Sequence, residues 1–233
     1  MVKSELIRRS PLRILEKSMH GGLGKGNIGV VASRKGVGKT ACLVHIATDK
    51  LFQDKPVIHV SYASRVDYVL NWYEDIFREI AKKRQLESAV DVHDEIIKNR
   101  VIMSFKQDAS RTDQILKSVE AMIDCGNFAA DAVIVDGYDF GRSTPEDLEK
   151  FKDFARKVSL EVWFSASLKG EEPLFDDKGI PRELAEYLDK IDVLIALAFQ
   201  NDHVQIRLVK DRDNPAPGDL KLRLDPKTLL ISE

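Results

Sequence analysis

The segment Ser33-Arg34-Lys35-Gly36-Val37-Gly38-Lys39-Thr40 constrains this chain more than any other. It stands between a short apolar run, residues 27–32 (NIGVVA), and a helical stretch, residues 40–52. A turn that passes from strand to helix through closely spaced glycines gathers backbone N–H groups around one spot, at the positive end of the helix. A lysine and then a hydroxyl at the helix start complete a cradle for phosphate oxygens and Mg²⁺. Gly36, Gly38, Lys39 and Thr40 supply these parts. Ser33, Arg34, Lys35, Val37 and Ala41 complete the candidate binding stretch. The usual pattern opens on glycine, where this chain has Ser33. A plain glycine-rich turn is the alternative, and the flanking strand and helix argue against it.

The remainder of the chain alternates in the same way. Residues 56–61, 100–105, 132–135 and 162–165 are short apolar runs that read as strands. Val66, Val69, Leu70, Tyr73, Ile76, Phe77 and Ile80 recur at spacings of three and four, one face of an amphipathic helix. Residues 115–123 read as another helix, and Thr144-Pro145-Glu146 opens a further one with a cap and a first-turn proline. Strand–helix alternation predicts an α/β fold, a mainly parallel sheet flanked by helices. After residue 190 the rhythm changes. Residues 193–198, 203–208, 220–224 and 229–232 read as strands with no helix between them, so antiparallel strands are expected to extend one edge. The run 132–135 (AVIV) ends in Asp136, where a carboxylate at a strand end can hold Mg²⁺ together with Thr40.

Composition narrows the partners. The 233 residues carry 36 Lys+Arg against 38 Asp+Glu, a net charge of −2, so the chain is not a basic nucleic-acid coat. Hydrophobic residues make up 43%, enough for a core. No apolar run approaches the roughly 20 residues of a membrane span, and the mixed charges of the first twenty residues do not form a secretory leader. Two cysteines, Cys42 and Cys125, suit reduced core thiols. A cytoplasmic protein without a membrane partner is expected. Residues 1–20 are expected to form an N-terminal helical segment, with a short helix over 4–19, and residues 21–233 a nucleotide-binding domain.

Residues 21–48 resemble the ATPase domain of bacterial replicative helicases of the DnaB type, within the RecA-like P-loop group. Pro181-Arg182-Glu183-Leu184 through Asp189–Leu194 is similar to the segment leading to that family's sixth strand. Lys210-Asp211-Arg212-Asp213-Asn214-Pro215, with Gly218 and 220–225, resembles its K-x-R hairpin. The resemblance spans residues 12–231. It implies a RecA-like fold, ATP and Mg²⁺ as ligands, and head-to-tail self-association. It further implies that Lys210 and Arg212 reach the γ-phosphate of a neighbouring subunit, as an arginine finger does, with apolar residues around Leu6, Leu12, Ile14 and Leu15 joining that interface.

Two departures bear on catalysis. Ala63 stands where the family has a water-polarising glutamate, and Ala166 where it has a γ-phosphate-sensing glutamine. Loss of one such group costs about two orders of magnitude in rate. Asp67, Asp139 and His59 are possible substitutes. Slow hydrolysis of ATP to ADP is therefore expected. The loops that would carry nucleic acid are short or acidic, with Arg142, Lys169 and Lys178 scattered among carboxylates, so weak or no DNA binding is expected. Tyr62, Trp72 and Tyr73 could stack on a base, although Tyr73 belongs to the apolar helix face. Alternatives are a non-catalytic regulatory module with a vestigial loop, a small-molecule kinase, and a ParA/MinD-type partition ATPase.

Overall fold

The computed structural model describes residues 2–62, 65–86, 89–106, 111–170 and 173–233. In chain order the elements are α1 (Val2–Arg8), α2 (Leu12–Ser18), β1 (Ile28–Ser33), α3 (Lys39–Phe52), β2 (Val57–Ser61), α4 (Val66–Arg84), α5 (Ala89–Lys98) and β3 (Arg100–Ser104). They continue as α6 (Thr112–Asp124), β4 (Ala132–Asp136), α7 (Pro145–Val158), β5 (Glu161–Ser167), β6 (Val193–Gln200), β7 (His203–Asp211), β8 (Gly218–Leu224) and β9 (Ile231–Ser232).

The nine strands form one sheet in the order β3-β2-β4-β5-β1-β6-β7-β8-β9. Strands β3 through β6 pair in parallel, and β7, β8 and β9 extend the β6 edge antiparallel. This is the expected α/β architecture. Alternation along the strands divides the core into two layers. Val31, Ile134 and Trp163 face α3, α4 and α5, while Val30, Ala32, Val133 and Phe164 face α6 and α7. Every residue of β1 is buried, as a strand covered on both faces requires. Gly29 lies opposite Trp163, and a Cβ there would come within 2.4 Å of the indole. Among the described residues no helix is long and apolar enough to cross a membrane.

Differences from the sequence reading are local. The N-terminal segment is two short helices separated before Pro11, which sits at the start of the second, not one helix over 4–19. The additional helix α5 precedes β3, and Arg182–Tyr187 forms a 3₁₀ helix. The last strand is only Ile231–Ser232, because Leu229 adopts a left-handed backbone within the preceding turn.

The N-terminal apolar residues were expected to join a neighbouring subunit; the structure corrects this. Leu6, Leu12 and Leu15 are buried in the same cluster as α3 and β8, and Ile14 packs against it. Arg13 bridges α2 to the buried Asp49 of α3, adding a polar tie to that apolar seam.

Candidate functional site

The parallel strands deliver a row of small polar side chains to one edge of the sheet. β1, β2, β3 and β5 end on Ser33, Ser61, Ser104 and Ser167, and β4 ends on Asp136. Register aligns Ser61 with Ser104 and Asp136, and Ser33 with Ser167. The turn from β1 into α3 lies over this row. Gly36 and Gly38 hold φ of +85° and +116°, which glycine reaches without strain. A Cβ at Gly38 would meet Leu224 Cδ2 at 2.5 Å, so β8 packs directly against the turn.

Three side chains there have defined partners. Thr40 Oγ1 donates to Asp136 Oδ2 at 2.8 Å. Lys39 is buried at the base of the turn, and its Nζ donates to Ser33 O (3.2 Å), Ser33 Oγ (3.4 Å) and Arg34 O (2.9 Å). Burial pushes its pKa down to about 8, with the Asp136 carboxylate opposing the shift. The Gly137 N–H donates to Ser165 Oγ at 2.7 Å, which fixes the chain just past Asp136. The turn, Asp136 and these serines border a cleft with about 1330 Å³ of empty space, open to solvent. Lys35 and Val37 also line it; Arg34 is exposed and Ala41 is buried beneath the helix start.

The structure does not bring Lys210 and Arg212 to this turn. Lys210 lies opposite Leu194, which lies opposite Val30, toward the beginning of the parallel strands; Ser33 is at their end. Lys210 Nζ donates to Leu188 O (2.6 Å) and to Ile191 O, and burial lowers its pKa. Arg212 donates to Gly22 O (3.1 Å), Leu23 O (2.9 Å) and Met19 O, and pairs with Asp211 at 2.8 Å. Within the chain both residues clamp loop carbonyls at the far edge of the sheet.

Ala63 lies outside the described residues. Ala166 is buried in β5 between Ser165 and Ser167. Asp67 is exposed, and its carboxyl is held low by Arg65. Asp139 accepts from Gly141 N (3.1 Å) and pairs with Lys169 (3.1 Å) and Arg142 (3.8 Å). His59 is inaccessible, hydrogen-bonded through Nδ1 to the Tyr73 hydroxyl at 3.0 Å, and burial drives its pKa to about 4. Among the described residues bordering the cleft, Asp136 is the sole carboxylate. Cys42 is a buried thiol pushed up to about 12, whereas Cys125 is exposed and so is not the core thiol expected. The described residues hold no cluster of three or more metal-ligating His, Cys, Asp or Glu side chains.

Several cleft residues escaped the sequence reading: Ser61, Ser165, Ser167, Tyr68, Leu224 and Leu229. The serines left a readable signal, since the strand ends repeat the same small hydroxyl. Leu224 and Leu229 left none, because their place depends on β8 folding back beside β1's helix. Comparison with protein-family models and with curated proteins returns no match for the chain.

Proposed function

We propose that the chain is a RecA-like P-loop domain that binds Mg–ATP at Ser33–Thr40 and hydrolyses it slowly. One observation carries the reading: the Thr40 hydroxyl and the Asp136 carboxylate meet at 2.8 Å beside a buried lysine on a glycine turn. Mg²⁺ usually takes one or two carboxylates and keeps its other positions for water and phosphate oxygens. A hydroxyl–carboxylate pair with no further carboxylate among the described residues bordering the cleft fits that habit. When bound, the ion neutralises charge on the β- and γ-phosphates. Lys39 serves the same end by exchanging its contacts to Ser33 and Arg34 for phosphate oxygens. The amides of the turn and the start of α3 hold the remaining oxygens.

Slow turnover follows from what borders the cleft. Asp136 is committed to Thr40 and the ion, and no other described side chain at the cleft can draw a proton from water. A non-catalytic regulatory module is the second reading, favoured by the same absence of a base among the described residues.

Thermal unfolding with and without Mg–ATP separates the first reading from a module with a vestigial loop, because a ligand that binds only the folded state raises Tm. The wild type is expected to rise; Lys39→Ala and Asp136→Asn are not. Phosphate release on the same sample is expected far below the usual enzyme median of about 10 s⁻¹. Wild-type unfolding indifferent to Mg–ATP contradicts the proposal.

A further inference from the structure

A second hollow lies toward the end of α3 farthest from the glycine turn and shares no lining residue with the cleft. His45, Asp49 and Phe52 recur at spacings of four and three, so one face of α3 forms one wall. Ile80, Lys83 and Arg84, in the last turns of α4, form another. Leu6 of α1 and Ile231 of β9 help to close it. The hollow holds about 480 Å³ of empty space, part of it continuous with solvent. Apolar walls that carry a few polar groups are the usual make-up of a small-molecule site.

Those polar groups differ in sign from wall to wall. On α3, Asp49 is only 5% exposed. Its Oδ2 accepts from Gln53 Nε2 at 2.7 Å and from Arg13, whereas its Oδ1 has no partner among the described residues. Arg13 also pairs with Glu16, so one guanidinium serves two carboxylates and negative charge is left over. A buried acceptor without a donor is costly, and a bound group that supplies one accounts for it. On α4 the charge is positive. Neither Lys83 nor Arg84 forms an ion pair among the described residues, and Arg84 Nη2 donates to Arg9 O at 2.6 Å, which leaves its other N–H groups for a ligand. His45 feels both signs. Burial lowers its pKa to about 4; the Asp49 carboxylate opposes that shift and the Lys83 ammonium adds to it.

We propose that this hollow binds an α-amino acid with an aliphatic side chain. The ammonium donates to Asp49, the carboxylate faces Lys83 and Arg84, and the side chain lies against Leu6, Phe52 and Ile80. A carboxylate alone leaves the bare oxygen of Asp49 unanswered. An amine alone is repelled by Lys83 and Arg84. A zwitterion with an apolar body answers both walls. Nothing in this assignment depends on the reading of Ser33–Thr40 as a nucleotide site.

Leucine, leucinol and isocaproate share one branched body. Leucinol carries an alcohol in place of the carboxylate, and isocaproate lacks the ammonium. Each is titrated by calorimetry into the full chain without nucleotide. Leucine is expected to bind saturably and about tenfold more tightly than either of the others, the factor that one hydrogen bond to a charged group supplies. Lys83→Gln alters an exposed position. It is expected to weaken leucine and isocaproate about tenfold and to leave leucinol no weaker. Asp49→Asn is expected to weaken leucine and leucinol and to spare isocaproate, with its urea midpoint reporting whether the variant still folds. Absence of saturable leucine binding overturns the proposal, as does leucinol or isocaproate binding as tightly as leucine. A leucine affinity unchanged by Lys83→Gln overturns it too, whatever becomes of Asp49→Asn.

Discussion

Lys39 is a cation held away from water, and this ties ligand affinity to pH. Its folded pKa of about 8 lies below the ordinary 10.5 because burial disfavours the ammonium. Below pH 8 the side chain is already charged when phosphate arrives. Above it, binding must also recruit a proton. Affinity for Mg–ATP is therefore expected to fall as pH rises past 8, approaching about tenfold per pH unit. Titrations at pH 7, 8 and 9 check this, and Lys39→Ala is expected to abolish the slope. A second residue-scale test concerns Gly29. Its absent Cβ makes room for the Trp163 ring, which would otherwise stand 2.4–2.8 Å away. Gly29→Ala is expected to cost about 1–3 kcal/mol by overpacking, read as a lower denaturant midpoint.

At the scale of elements, alternation of apolar runs and helical faces made the parallel sheet legible before any coordinates. The AVIV run placed β4, and the helix-free tail placed the antiparallel edge. What stayed hidden depends on tertiary placement. The short α5 joins the layer of α3 and α4 before β3, and a period over ten residues gives little warning of it. The glycine turn and Asp136 were legible because their chemistry is local to strand ends. The β8–β9 border of the cleft was not, because Leu229 reaches it through a left-handed turn anchored by His45. Lys210 and Arg212 form a recognisable triplet whose side chains lie away from the chain's own glycine turn, as a role toward a neighbouring subunit requires. Within the chain Arg212 ties the end of β7 to the loop after α2, and Lys210 ties β7 to the loop before β6. Arg212→Ala is expected to lower stability by about 1–3 kcal/mol, since it leaves several carbonyls without their charged donor. An unaltered Tm in that variant contradicts the clamp.

At the scale of the whole molecule, two buried histidines join its layers. His59 links β2 to α4 through Tyr73, and His45 links α3 to the β8–β9 turn. Burial lowers both to about 4, against an ordinary 6.5. The unfolded chain therefore takes up these protons first. Their contribution to stability is present above about pH 6.5 and is lost as pH falls toward 4. Urea midpoints are expected to drop across that window, and His59→Phe is expected to flatten the dependence. The central claim is that the turn between β1 and α3 holds the phosphates of a nucleotide. Calorimetry of Mg–ATP into wild-type protein and into Lys39→Ala at pH 7 tests it most directly. Saturable binding by the wild type, with affinity reduced by at least an order of magnitude in the variant, is the expected result. Equal heats and equal affinities in the two proteins would place the nucleotide elsewhere and contradict the account.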